Sequence, residues 1–348
     1  MLRKDTHIGL LAPITWDIPP LTYGPWEKVV YNLARGLVAR GYKKVTLFAT
    51  KQAHIRGIKT ISVFNEPLRD QFKDDAKARE LLHISAAIEY ANKNCDLLHA
   101  HINYYPLLFS HLMKIPVLTT LHGSGSEIAS QIAYRRFKEM PFISISESER
   151  RFIPELNYIA TIPNPIDFKE FSLGAIRTPK YLVFTGRVHP DKGVHQAVEL
   201  AEKLGLPLYI AGPLKNEQAE YFRKHIQPAL DAKKAFYLGN LSPKKIHKLV
   251  SGALAFIALI EWEEPFGLSI AEAMASGTPV IGTPRGSQKE LIIDGVTGIL
   301  VDSVSDAVHR FPAVTSINRK ECRRVAQKHF DTDIVTSAYL AAYERILK

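Results

Sequence analysis

Two carboxylates, Glu264 and Glu272, stand eight residues apart in the stretch Ala253–Gly282, ALAFIALIEWEEPFGLSIAEAMASGTPVIG. Upstream, the segment GRVHPDKG places the cations Arg187 and Lys192 inside a glycine-bounded turn, Gly186 to Gly193. An arginine fork and a lysine point charge at such a turn form a cradle for a diphosphate. The competing reading is a pair of solvated loop cations. No carboxylate pair at metal-binding spacing accompanies them, so no metal ion and no other cofactor is expected.

These side chains need elements to hold them. Ala253–Ile260 is a continuous apolar run of strand length that breaks into Glu261, Glu263, Glu264, Pro265 and Gly267. Ser269 then opens a short helical pattern with Ile270, Ala273 and Met274 apolar and Gly277 as a stop, and Thr278–Gly282 reads as the next strand. Strand, loop, helix and strand make the unit of a parallel sheet, where ligands sit beyond the carboxyl ends of the strands. Ser269 and Glu272 also have the spacing of an S-x-x-E capping box, which alone could account for Glu272. Glu264, beside Pro265, caps nothing obvious; its alternative is a solvated loop carboxylate.

The stretch EEPFGLSIAEAMASGTPVIG resembles the Glu-x7-Glu motif of the retaining GT-B glycosyltransferases of the family 4 type. The resemblance implies that Glu264 meets the hydroxyls of a donor sugar and Glu272 the nucleotide ribose. It also implies that backbone amides around Phe266, Gly267 and Leu268 lie against the donor. GRVHPDKG resembles the phosphate site of the same family, which assigns Gly186, Arg187 and Lys192 to the diphosphate. By the same resemblance, backbone near Asn240 and Leu241 meets the nucleobase.

The first half of the chain opens with a strand in His7–Pro13, a loop, and a helix from Pro25, a residue suited to a first helical position. Val29, Val30, Leu33, Leu37 and Val38 supply its buried stripe, Gly41 ends it, and Val45–Thr50 is the second strand. The segment TYGPWEKVV resembles the family's N-terminal glycine loop, although Tyr23-Gly24 stands where two glycines are common. The resemblance implies that Gly24 lies near the transferred phosphate; the alternative is a turn glycine without a ligand.

Helices at Asp74–Lys93, near Pro106–Met113 and around Ser130–Lys138 alternate with strands at Asp96–His101, Pro116–His122 and Phe142–Ser146. Their strand ends, His101, His122 and Ser146, fall on one sheet edge. His122-Gly123 resembles the family histidine placed between donor sugar and acceptor, able to donate a hydrogen bond or help accept a proton. For His99 and His101 a structural role is the preferred reading.

Ile162–Asp167 carries linker chemistry, and the boundary is placed at 165–178. Strands at Tyr181–Thr185, Pro207–Gly212 and Ala235–Gly239, a helix near Asn216–Leu230, and a final helix and strand in TPRGSQKELIIDGVTGILV complete a second domain. Lys320–Lys348 reads as two helices separated near Asp331–Asp333. The alternation predicts doubly wound parallel-sheet domains, and the resemblance implies the GT-B architecture, two Rossmann-like domains facing a central cleft: 1–165 holding the acceptor, with 332–348 rejoining it, and 178–331 holding the donor.

The 348 residues are 46% hydrophobic and 23% charged, an ordinary globular composition. Cys95 and Cys322 lie far apart, so no disulfide framework or cysteine metal site is implied, and a cytoplasmic setting fits. Neither a signal peptide nor a membrane span is read from the sequence. The net charge of +10 is spread over both halves without a dense basic block, which argues against a nucleic-acid partner. It suits an anionic donor, and also peripheral attachment to an anionic lipid surface on the inner face of a membrane.

The resemblance therefore implies transfer of a sugar from a UDP- or GDP-sugar to an acceptor hydroxyl, with retention, and metal independence is expected. The acceptor, whether sugar, lipid-linked or another small molecule, and the oligomeric state are not legible. Alternatives are a sugar phosphorylase, a nucleotide-sugar epimerase, or a non-catalytic nucleotide-sugar-binding subunit.

Overall fold

The computed structural model describes residues 2–69, 74–174 and 180–348. Contacts divide the chain into two compact units, Met1–Pro165 with Thr332–Lys348, and Ile166–Asp331. The expected boundary region, 165–178, runs into residues 175–179, which lie outside the described residues, as do residues 70–73.

The first unit contains β1 (Ile8–Leu11), β2 (Val45–Phe48), β3 (Lys59–Ile61), β4 (Leu97–Ala100), β5 (Val117–Thr120), β6 (Phe142–Ser144) and β7 (Tyr158–Thr161). They form one parallel sheet in the order β3-β2-β1-β4-β5-β6-β7. Its helices are α1 (Pro25–Ala39), α2 (Ala76–Asn94), α3 (Ile128–Arg136) and α4 (Glu147–Arg150). β1, β2, β4 and β5 are buried along their whole length because helices cover both faces. Alternate residues serve opposite cores: Leu10, Leu47 and Leu97 pack with Leu33 and Leu37, whereas Leu11, Phe48 and Leu98 pack with Ile84 and Ile88.

The second unit has β8 (Leu182–Thr185), β9 (Leu208–Ala211), β10 (Ala235–Tyr237), β11 (Ala255–Ala258), β12 (Val280–Gly282) and β13 (Gly298–Leu300). This sheet is also parallel, in the order β10-β9-β8-β11-β12-β13. Around it lie α5 (Val194–Leu204), α6 (Ala219–His225), α7 (Gln227–Asp231), α8 (Pro243–Ser251), α9 (Leu268–Ala275) and α10 (Gln288–Leu291). Two further helices are α11 (Val304–Thr315) and α12 (Arg319–Phe330). The last helix, α13 (Thr332–Leu347), belongs to the first unit, where Val335, Tyr339 and Tyr343 enter the core beside α1.

Three expectations change in detail. The segment near Pro106–Met113 is a 3-10 helix, Tyr105–Leu112. The helix expected over Asn216–Leu230 is a 3-10 turn followed by α6 and α7; Pro228, in the first turn of α7, has no amide to continue the preceding ladder. α9 starts at Leu268 with Gly267 as its N-cap, so Ser269 lies inside the first turn and the Ser269–Glu272 capping box is not made. Gly267 enters the helix from the left-handed region at φ 84°, replacing the side-chain cap by a backbone turn.

Candidate functional site

In the second unit the loops after β8, β11 and β12 converge at the carboxyl edge of the sheet. Gly186, at φ 151°, follows β8, and a Cβ on Gly212 would lie 1.8 Å from the Gly186 carbonyl oxygen. Only glycine allows these two loops to approach so closely. Gly193 stands between a 3-10 turn ending in Lys192 and the start of α5, where a Cβ would lie 1.7 Å from the Leu259 oxygen. That approach brings Lys192 to the end of β11, and its ammonium pairs with Glu264 Oε2.

Trp262 Nε1–H donates to the same oxygen at 3.0 Å, and Lys192 Nζ lies 4.9 Å from the centre of the indole. Glu264 is buried, 9% exposed, and Oε2 takes both of these donors. Arg187 is half-buried and has no ion pair or side-chain hydrogen bond among the described residues. One cation of the expected cradle is committed to a carboxylate and the other is available.

The loop after β12 clasps this acidic loop from the far side. Gly286 N–H donates to Glu263 Oε2 at 2.7 Å, Ser287 N–H to the Glu264 carbonyl at 2.9 Å, and Ser287 Oγ–H to the Phe266 carbonyl at 2.7 Å. Gly286 is required there, because a Cβ would lie 2.4 Å from the Glu264 nitrogen and oxygen. Phe266 turns its ring into the core against Phe330, leaving its backbone to the loop. Leu268 opens α9, and the amides of Leu268 and Ser269 precede the first helical hydrogen bonds, those of Ile270 N–H and Ala271 N–H to the Gly267 carbonyl at 3.0 and 3.2 Å. Glu272 follows one turn later and is half-buried. Asn240, exposed, and Leu241, half-buried, occupy the loop between β10 and α8.

The first unit builds a separate cluster. Gly24 caps α1 without a side-chain bond, and a Cβ there would lie 3.0 Å from Pro20 Cβ and 3.2 Å from Trp16 Cβ, a tight fit that a side chain could take only if these neighbours gave by a few tenths of an ångström. Trp26, in the first turn, stacks on His122 with centroids 5.6 Å apart and planes at 29°. The glycine loop and the histidine therefore meet through Trp26. Glu27 is buried, accepts Trp16 N–H at 3.0 Å, and is pushed up to about 7 by burial.

His122 follows β5 by two residues, and its Nε2 lies 3.0 Å from His101 Nδ1. Burial lowers His122 to about 3 and holds His101 well below the ordinary histidine range, so both rings are neutral near neutral pH. His122 can exchange hydrogen bonds but is a weak base. His99 bonds Tyr343 Oη and Thr120 Oγ1, each at 2.7 Å, a fully satisfied structural histidine. His101 differs, since it touches His122 directly.

Glu149 stands behind this pair, accepting Gly123 N–H at 2.6 Å and Ile145 N–H at 3.0 Å. It ties the loop after β5 to the end of β6. Burial raises its carboxyl to about 8 against the pull of the two amides. The S-x-x-E spacing of Ser146 and Glu149 is its sequence signal; Ser146 Oγ does accept Glu149 N–H, while the carboxylate reaches beyond the helix. Trp26, Glu149, Trp262, Gly286 and Ser287 were not among the expected site residues. Among the described residues no group of three or more His, Cys, Asp or Glu side chains could hold a metal ion, and no helix is long and apolar enough to cross a membrane.

Residues 165–327 match the family described as Glycosyl transferases group 1, and residues 26–170 match Glycosyltransferase Family 4. The glycogen synthase of Mycobacterium tuberculosis is 25% identical over 391 residues, covering 94% of each chain. The sucrose-phosphate synthase of Thermosynechococcus elongatus superposes with a TM-score of 0.78 at 20% identity, over 98% of each chain. The Anabaena protein Alr3699/HepE, solved with UDP-glucose, superposes with a TM-score of 0.74 at 15% identity, over 97% of this chain and 99% of that one.

Proposed function

Because the chain belongs to the group 1, family 4 glycosyltransferases with the GT-B fold, we propose that it moves a sugar from a UDP- or GDP-sugar to an acceptor hydroxyl with retention and without a metal ion. The observation that carries this is the buried Glu264 held by Lys192 and Trp262 at the mouth of α9, with Arg187 unpaired nearby in the chain. The UDP-glucose bound by the Anabaena relative supports a nucleotide-sugar donor.

In this reading the donor diphosphate gathers negative charge as the glycosidic bond breaks. Arg187, Lys192 and the first-turn amides of α9 stabilise that charge more in the transition state than in the ground state. Glu264 holds the sugar hydroxyls, and Glu272 the ribose. The backbone of Phe266, Gly267 and Leu268 lies against the donor, Gly186 gives the diphosphate close access, and Asn240 and Leu241 approach the base. In the first unit Gly24 and His122 complete the set, the neutral His122 as a hydrogen-bonding group. The acceptor hydroxyl attacks the face from which the diphosphate leaves, and a phosphate oxygen takes its proton.

The test is incubation with UDP-glucose or GDP-mannose and a panel of sugar acceptors, with and without EDTA. Nucleoside diphosphate release, an unchanged anomeric configuration in the product, and activity surviving EDTA are expected. Loss of most activity in EDTA, or inversion at the anomeric carbon, would contradict the proposal.

A further inference from the structure

Glu261 joins the three loops that converge at the carboxyl edge of the second unit's sheet. Its N–H donates to the carbonyl of Asp191, the residue before Lys192, at 2.9 Å, and its own carbonyl accepts from Arg285 Nη1 at 3.1 Å. The side chain reaches into the first turn of α5, where Oε1 accepts from Gln196 Nε2 and lies 3.2 Å from His195 Nε2. A carboxylate only accepts, so His195 Nε2 carries a hydrogen. The other ring nitrogen, Nδ1, is 2.9 Å from Tyr221 Oη, and that oxygen also accepts the His195 backbone N–H at 3.1 Å. The phenol hydrogen is thereby left for Nδ1, and burial, which pushes Tyr221 up to about 12, keeps it on the oxygen near neutral pH. Tyr221 of α6 orients the histidine, and the histidine and Gln196 hold one oxygen of Glu261.

The side chains of His195 and Glu261 are 30% and 42% exposed, so their pairing adds little to global stability. What it fixes is local. α5 starts directly after Lys192 and Gly193, and the two carboxylates of the acidic loop divide the work there: Glu264 takes the Lys192 ammonium, and Glu261 takes the helical turn behind it. We propose that Glu261 is a positioning residue that locks the first turn of α5 to the acidic loop through Oε1, and thereby sets where the Lys192 ammonium stands. Only the identity of the diphosphate that Lys192 meets rests on the glycosyl-transfer reading; the lock itself belongs to the free protein. Both donors land on a single oxygen, which glutamine keeps and alanine lacks. The lock therefore works by hydrogen bonding and does not need the charge.

The experiment uses the full chain as wild type, Glu261→Ala, Glu261→Gln, Lys192→Ala and the double variant Lys192→Ala with Glu261→Ala. The first readout is amide hydrogen exchange in the free protein. The Lys192 and Gly193 N–H groups bond the His189 and Pro190 carbonyls at 3.1 and 2.8 Å. In Glu261→Ala these two amides are expected to exchange about tenfold faster, with those of the distant helix α12 unchanged, and in Glu261→Gln they should stay near wild type.

Calorimetric titration with UDP and GDP supplies the second readout. Glu261→Ala is expected to weaken the nucleotide that binds by about tenfold, with Glu261→Gln restoring it, and to cost nothing further once Lys192 is alanine. Unchanged exchange at Lys192 and Gly193 in Glu261→Ala, a glutamine variant as damaged as the alanine one, or additive losses in the double variant would overturn the proposal. Should Glu261→Ala fail to fold, Gln196→Leu removes one of the two donors and is expected to move the same amides in the same direction, and no change there counts against the lock. If wild type binds neither nucleotide, the glycosyl-transfer reading falls, and the exchange rates alone decide whether Glu261 holds the turn.

Discussion

The indole of Trp262 donates to Glu264 Oε2 at 3.0 Å, the oxygen that also pairs with Lys192. In the proposed reading, where this carboxylate meets sugar hydroxyls, it is oriented before any ligand arrives, by one donor that a diphosphate could compete for and one that it could not. Trp262→Phe keeps the ring beneath Lys192 and removes only the N–H. A hydrogen bond to a charged group is worth about 1.5–3 kcal/mol. Sugar-nucleotide affinity should fall by roughly tenfold or more, while affinity for the free nucleotide stays level; equal losses for both would place Trp262 outside the sugar subsite.

Arg187 is half-buried and unpaired among the described residues, so its removal should cost little stability. Arg187→Ala is expected to lower kcat by about 10²–10³, the scale for losing one transition-state donor, with an unchanged unfolding midpoint. Steady-state kinetics beside urea unfolding checks this, and wild-type kcat in the variant would remove Arg187 from the phosphate site.

Glu149 satisfies two amides, that of half-buried Gly123 and that of buried Ile145. Glu149→Ala leaves both without an acceptor, at a cost of about 2–4 kcal/mol. Urea unfolding should show the loss, and a change below about 0.5 kcal/mol would mean that the loop after β5 finds other partners.

Acid should destabilise the protein early. His122 and His83 are lowered by burial to about 3 and about 4, and His99 and His101 fall well below their ordinary value. Below about pH 6.5 the unfolded chain takes up protons on these rings that the folded chain refuses, so stability falls as pH drops toward the folded values. Each ring contributes up to about 1.4 kcal/mol per pH unit in that window. Glu27 and Glu149, raised to about 7 and about 8, act oppositely: stability is lost as pH rises from the ordinary carboxylate range through those values. Their effect is the smaller below pH 6 because four rings oppose two carboxyls. The thermal midpoint should therefore drop steeply between pH 6 and 5, and a flat profile there would contradict the burial assigned to the histidines.

What the residues reveal unaided follows burial and local chemistry. The α1 start was legible because Pro25 suits a first helical position, and the β11 loop because eight apolar residues end abruptly in acids. β3 and β7 escaped notice: they are edge strands, only partly buried, without the continuous apolar run of the inner strands. α11 carries Pro312 in its interior, which disguises its helical pattern. Ser269 and Glu272 have capping-box spacing that Gly267 makes redundant, whereas Ser146 and Glu149 share the spacing and use the glutamate for loops distant in sequence. Such long-range partners, like the bond between His101 and His122, depend on strand order, which periodicity does not encode.

The central claim is that the second unit holds a nucleotide-diphosphate sugar, and thermal unfolding with UDP, GDP, ADP and dTDP tests it most directly. A ligand at 100 times its dissociation constant adds about 2.7 kcal/mol to the folded state. The account predicts a raised midpoint with UDP or GDP that is lost in Glu272→Ala. No shift with any of the four at millimolar concentration would contradict it.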